Sequence, residues 1–305
     1  MTRPVAIAAM LVGSAVALTA QGRTFTTNTT VISANVAVKK GNAPIGHLTA
    51  VDFALTDSGV PQAISAASIE TLPVDVTLFV DTSGSTAGRL TQMKRDVIGI
   101  SGVLREGDRL RVLTIGDSVY EAVPWIPARR DPNVAGRALD LSFQPVGGVS
   151  LIYDAIAAAL THRPAPDRRH LVIAMTDRID GGSIVSSALV LDMAARTDAL
   201  LHLIEQADPG TGPMTYRPRG FTTESRATGP DTLKRAAERT GGEFHSGWRS
   251  SSALKAFAAL YADFRQSYVL RYTREGVKPG GWHPIVVTLN NRSDVTIRSR
   301  QGYID

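Results

Sequence analysis

The chain has 305 residues, enough for one large α/β domain and a smaller companion. Lys+Arg minus Asp+Glu is 33 − 28 = +5, and the basic residues are scattered, which speaks against a concentrated nucleic-acid-binding face. There is no cysteine, so disulfides, cysteine nucleophiles, thiolate metal sites and a lipoprotein-type cysteine anchor are excluded.

In chain order, the first segment reads as an export signal. Arg3 supplies a short positive region, and Val5 to Ala20 is uncharged and mostly apolar. That run is too short to span the ~30 Å hydrocarbon core of a bilayer comfortably. Small residues at Ala17, Thr19 and Ala20 allow cleavage near Gln21. The expectation is a signal peptide at 1–20 and a mature protein outside the cytoplasm, periplasmic or secreted. A buried N-terminal helix or an uncleaved anchor is the bland alternative. No later stretch is apolar enough to be read as a membrane span.

Residues 21–70 read as an N-terminal β segment. Ile32, Ala34, Val36 and Val38 alternate with Ser33, Asn35, Ala37 and Lys39. Val51, Phe53 and Leu55 alternate likewise, and Asp57-Ser58-Gly59 supplies turn residues before a short strand near Gln62 to Ile64.

Residues 71–267 change character. Apolar runs at Val76–Val80, Leu110–Ile115, Leu171–Met175 and Leu200–Ile204 are the marks of strands buried on both faces. Between them lie helical periods: Leu90, Met93, Val97, Ile100 and Leu104; then Leu151, Ile152, Ala155, Ile156, Ala159 and Leu160. Val185 to Ala195 and Thr232 to Glu238 are further helices. This alternation predicts a doubly wound, mostly parallel sheet with helices on both sides. A last helix, Ser252 to Tyr268, carries Leu254, Phe257, Tyr261, Phe264 and Tyr268 on one face, a stripe read as core packing.

Residues 268–305 return to strands: Tyr268–Tyr272, Pro284–Leu289 and Val295–Ser299. Three strands at each end are too few to bury two faces alone. They are expected to pair with the N-terminal ones into one small, discontinuous β-sandwich.

The informative segment is Val74 to Ser85, in which a buried strand ends in Asp81 and hydroxyls follow at Ser83 and Ser85. The carboxyl ends of strands at a switch point form the ligand crevice of an open α/β sheet. An all-oxygen surface there suits a hard cation such as Mg²⁺. Two further segments deliver oxygens from similar positions: Ser150, after Gly147-Gly148 at a helix start, and Asp177, at the end of the strand Leu171 to Thr176. The alternative is that the serines are helix caps and the carboxylates solvate loop ends.

Asp81-Thr82-Ser83-Gly84-Ser85-Thr86, Gly147-Gly148-Val149-Ser150-Leu151-Ile152-Tyr153-Asp154-Ala155 and Met175-Thr176-Asp177 resemble the metal-ion-dependent adhesion site of von Willebrand factor A (VWA) domains. The wider pattern is similar to a bacterial VWFA-related family described in acidobacterial genomes. That pattern includes Asp52 to Gln62, Thr240-Gly241-Gly242, Phe264 to Leu270 and Gln301-Gly302-Tyr303. The resemblance implies a binding module, not an enzyme. Ser83, Ser85 and Ser150 would be hydroxyl ligands of Mg²⁺ (or Mn²⁺ or Ca²⁺), and Asp81 and Asp177 would bind directly or through water. A carboxylate of a protein partner would complete the metal's shell.

Two departures from the family pattern stand out. Ser150 replaces the usual threonine, and Arg178 replaces the glycine after the third-motif aspartate, where it could disfavour a cation or help capture an anionic partner, with Asp180 as a possible counter-ion. The connection Asp208 to Pro230 is rich in Gly, Pro and Arg. Its Arg217 and Arg219, with Arg178, are candidate partner contacts.

Rival readings are a metal-independent envelope scaffold with a vestigial site and, less favoured, a metal-dependent hydrolase. An aspartyl-phosphate enzyme needs a second carboxylate two residues after the nucleophile, where Ser83 stands. No nucleophile elbow, P-loop or dinucleotide fingerprint appears. The six histidines show no metal-ligand spacing, and His170 and His202 read as structural.

Overall fold

A computed structural model describes residues 31–83, 90–128, 136, 150–176, 180–205, 224–245 and 253–305, with side chains of the 224–240 helix from Thr232 onward. The proposed signal peptide at 1–20 lies outside the described residues. No described helix is long and apolar enough to cross a membrane.

The strands are β1 Val31–Lys40, β2 Ala43–Pro44, β3 Phe53–Asp57, β4 Val60–Gln62, β5 Ile64–Ile69, β6 Val74–Asp81, β7 Arg109–Ile115, β8 Val119–Pro127, β9 Arg169–Thr176, β10 Leu200–Glu205, β11 Phe244–His245, β12 Tyr268–Thr273, β13 Trp282–Leu289, β14 Thr296–Ser299 and β15 Gly302–Ile304. The described helices are α1 Leu90–Val103, α2 Ile152–Leu160, α3 Ser187–Arg196, α4 Glu224–Thr240 and α5 Ala253–Gln266.

A six-stranded sheet runs in the order β11-β10-β9-β6-β7-β8, parallel except for the antiparallel edge strand β8. All eight residues of β6 and of β9 are buried, as a strand covered on both faces must be. On one face Val76, Leu78 and Val80 pack with Val97 and Ile100 of α1 and Phe257 and Phe264 of α5. On the other, Phe79, Val172 and Leu201 pack with Ile156 of α2, Val190 of α3 and Leu233 of α4. This is the expected doubly wound arrangement. The chain leaves β6 toward β7 on one side and returns to β9 on the other, so the switch point lies at the end of β6.

The terminal strands form the expected sandwich. One sheet has the order β14-β1-β12-β5, with β2 on β1; the other has the order β15-β13-β3-β4. The inward residues Ile32, Ala34 and Val36 meet Phe53, Leu55, Ile285 and Val287 across the gap, with Tyr268 and Tyr272 filling it. Ser58 (φ 52) and Gly59 (φ 80) both lie in the left-handed region, the backbone that a tight β3–β4 hairpin demands.

Some expectations need correction. Val51 is 81% exposed in a short 3-10 turn and does not continue the Phe53–Leu55 alternation. Tyr268 opens β12 and packs in the sandwich core, so the last helix ends at Gln266. Residues 224–230, placed in the long connection, are the first turns of α4.

Candidate functional site

The C-terminal end of β6 sets Asp81 at the switch point, fully buried. The next residue ties the chain to β7, since both the amide and the hydroxyl of Thr82 donate to the Ile115 carbonyl (2.8 and 3.1 Å). The backbone then turns back on Asp81, whose Oδ1 accepts the Ser83 amide at 3.0 Å. From a segment 69 residues away, Ser150 Oγ donates to both Asp81 oxygens, at 3.0 and 3.1 Å. From the end of β9, Thr176 Oγ1 donates to Asp81 Oδ2 at 3.2 Å.

Three distant chain segments therefore meet on one carboxylate. Asp81, Ser83 and Ser150 come together. Ser85, Asp177 and Arg178 lie outside the described residues, as do Arg217 and Arg219. Thr176, quoted in the motif segment Met175-Thr176-Asp177, is a neighbour to which the sequence reading gave no role. Its place follows once β9 is paired with β6, because Met175 stands opposite Val80, one residue short of Asp81.

Ser150 is not a helix cap. The N-cap of α2 is Leu151, with no side-chain capping bond, and the Ser150 hydroxyl points at Asp81. The missing cap comes from the loop after β9. Ser183 Oγ accepts the amides of Tyr153 (3.1 Å) and Asp154 (3.2 Å), and Asp180 Oδ1 accepts Tyr153 as well (3.3 Å). In return, the Asp154 carboxylate accepts the amides of Ile184 and Val185 (3.2 and 2.7 Å). Asp180, read above as a possible counter-ion for Arg178, takes backbone donors here.

The donor set fits a hard divalent cation. Among the described residues, the side-chain groups seen to bond Asp81 are the hydroxyls of Ser150 and Thr176. Adjacent oxygens on an octahedral cation with ~2.0–2.1 Å bonds stand about 2.9 Å apart. The oxygens of Ser150 and Thr176 lie 3.0–3.2 Å from those of Asp81.

A second polar cluster sits at the sheet edge, where β11 pairs with β10. Potential ligand atoms of His202, Glu243 and His245 lie within 4.8 Å of one another. Sequence spacing hides this group, since Glu243 lies 41 residues after His202 and parallel pairing unites them. Its proton arrangement opposes a metal. His202 Nδ1 accepts the Glu243 amide at 3.1 Å, so the proton of the neutral ring sits on Nε2. Burial, reinforced by the Arg298 guanidinium, holds His202 far below the usual imidazole pKa. Arg298 already pairs with Glu243 at 2.5 Å, and His245 Nε2 lies 3.1 Å from the same carboxylate. The Arg298–Glu243 pair ties the β11 edge to β14.

No protein-family model matches the chain, and no curated protein matches it in sequence. Solved structures do resemble it. A von Willebrand factor type A protein from Catenulispora acidiphila shares 11% identity, covering 92% of this chain and 75% of that one, with a TM-score of 0.49. BatB, a conserved hypothetical protein from Bacteroides thetaiotaomicron, shares 17% identity over 63% of this chain and 98% of its own, at 0.47. Manganese-loaded TRAP protein from Plasmodium vivax shares 17% over 82% and 98%, at 0.43. The doubly wound assignment rests on the strand order and register described above.

Proposed function

We propose that the chain is a VWA-type binding module that works outside the cytoplasm and grips an acidic group of a protein partner through a divalent cation. The observation that carries this reading is the convergence of Ser83, Ser150 and Thr176 on the buried Asp81 carboxylate at the switch point. Asp81, Ser83 and Ser150 would hold the cation, with Ser85 and Asp177 completing the protein's share. A bound dication would supply an exposed positive charge for a partner carboxylate. The chain's own part would be to gather hydroxyl and carboxylate oxygens at the switch point and to keep Asp81 shielded from bulk water. The motif resemblance and the charge-poor segment before Gln21 support the same reading. Mg²⁺ is the ion the oxygen set favours, with Mn²⁺ and Ca²⁺ as competitors.

The test is calorimetric titration of Mg²⁺ and Mn²⁺, with thermal melting alongside. Wild-type protein should bind one ion and melt higher, because a ligand held only by the folded state raises stability. Asp81→Asn should lose both effects. Retention of a partner from envelope extract should disappear with chelator and with Asp81→Asn. A wild-type protein that ignores millimolar metal would favour the scaffold reading. Turnover of phosphate or ester substrates, lost in Asp81→Asn, would favour the hydrolase.

A further inference from the structure

We propose that Ser183 and Asp180 are positioning residues that hold Ser150 against Asp81, so that metal affinity is set from the loop after β9. The inference rests on the metal-dependent reading above and extends it to residues that touch no metal.

The first turn of α2 leaves backbone amides without intrahelical partners, and Leu151 offers no capping side chain. Those amides are bound from the neighbouring loop instead. Ser183 Oγ accepts from Tyr153 and Asp154 and donates to Asp180 Oδ1 at 2.5 Å. Asp180 Oδ2 in turn accepts the amides of Gly182 and Ser183 (3.2 and 3.1 Å), which fixes the turn that carries the serine. The Gly181 amide donates to the Ser150 carbonyl at 2.7 Å, a direct bond to the ligand-bearing residue. Asp154 closes the clamp through Ile184 and Val185. Bonds thus run in both directions between 150–154 and 180–185, and they fix the backbone from which the Ser150 hydroxyl reaches Asp81. Without them, the start of α2 has no cap of its own, and the Ser150 backbone keeps the Leu151 amide bond to the Gly116 carbonyl (3.1 Å) but loses its ties to 180–185. The clamp also fixes the backbone at Ile184, whose side chain is 95% exposed.

The experiment titrates Mn²⁺ and Mg²⁺ onto the full chain and onto Ser183→Ala, Ser183→Thr and Asp180→Asn, and records metal-free melting temperatures. Val287→Ala, in the sandwich core, serves as a destabilised control. Ser183→Ala should bind Mn²⁺ about 10–100-fold more weakly, the usual penalty for losing a group that orients a ligand. Ser183→Thr, which keeps the hydroxyl, should stay close to wild type. Val287→Ala should melt lower yet keep its affinity. Amide exchange at Tyr153, Asp154, Ile184 and Val185 should quicken in Ser183→Ala. If Ser183→Ala fails to fold, Asp180→Asn carries the test: it is isosteric but turns one acceptor oxygen into a donor, and it should also weaken binding. Wild-type Mn²⁺ affinity in Ser183→Ala and Asp180→Asn, with metal bound by the parent, overturns the positioning role alone. A parent that binds neither ion overturns the metal reading and this inference together.

Discussion

Two buried histidines contribute to how the protein responds to acid. His170 in β9 faces Thr77, with its Nε2 3.0 Å from Thr77 Oγ1. Burial, aided by nearby His162 and Arg111, lowers its pKa to about 3. His202 is shifted the same way by burial and by Arg298. In the unfolded chain these imidazoles titrate near 6.5. Between those limits the unfolded state binds a proton that the folded state refuses, so the contribution of these two groups to stability falls as pH drops below about 6.5. His170→Gln removes one such group. In urea titrations between about pH 4 and 6, the variant should show a pH slope smaller by up to ~1.4 kcal/mol per unit. An unchanged slope would mean that His170 is already protonated in the fold. Nearby, burial works against the charge of Asp75, but bonds from Arg109, Arg168 and His162 outweigh it and keep the carboxyl below its ordinary range. Asp75 is therefore accounted for as an ion-pair hub at the pole opposite the candidate site.

At the scale of elements, the turn Thr240-Gly241-Gly242 shows what a sequence motif encodes physically. Thr240 Oγ1 accepts the Leu201 amide and donates to the Ala237 carbonyl, so it staples α4 to β10. Gly241 has φ +87, and a Cβ there would sit 2.7 Å from the Arg300 nitrogen. A Cβ on Gly242 would stand 1.7 Å from the Leu201 carbonyl oxygen, closer than any packed atoms can be. Gly242→Ala should therefore cost on the order of 3–5 kcal/mol, at the exceptional end for a point change. Thermal melting checks this, and a shift of a degree or two would show that the turn can relax. The motif was legible in the sequence, but the clash that explains it was not. The same split runs through the fold. Buried strands and two-faced helices declare themselves by period, as β6, β9 and α2 did. The edge strand β8 did not, because its burial follows no alternation, it contains Pro124 and Pro127, and its register against β7 shifts twice. At the site, Asp81, Ser83 and Ser150 were readable from composition and strand ends. Thr176, Ser183 and Asp180 were not, since the role of Thr176 follows only from the pairing of β9 with β6, and those of Ser183 and Asp180 only once the loop after β9 lies beside the start of α2.

On the scale of the whole molecule, arginines join the sandwich to the doubly wound sheet. Arg169 at the start of β9 donates to Asn35 in β1 and to Ser267 (both 2.9 Å), and its guanidinium lies 3.9 Å from the Phe264 ring centre. Arg300, between β14 and β15, is 6% exposed. It donates to the carbonyls of Ser33 (3.2 Å) and Gly302 (3.1 Å) in the sandwich, and to those of Ala195 (3.3 Å) and Thr197 (3.5 Å) around the end of α3. Asp198 supplies its counter-charge at 3.1 Å. One side chain thus satisfies acceptors of both units, and they should unfold together. Arg300→Met keeps much of the volume but strands those carbonyls, a loss of roughly 2–4 kcal/mol by the cost of unpaired buried acceptors. The more telling consequence concerns cooperativity. Scanning calorimetry of the wild type should give one transition with matching calorimetric and van't Hoff enthalpies, whereas in Arg300→Met the calorimetric value should exceed the van't Hoff value as the sandwich melts separately. If the variant melts lower but still as one unit, the coupling resides in the β11–β14 ion pairs and the Arg169 contacts. The double variant Arg300→Met with Arg298→Met should then separate the two transitions.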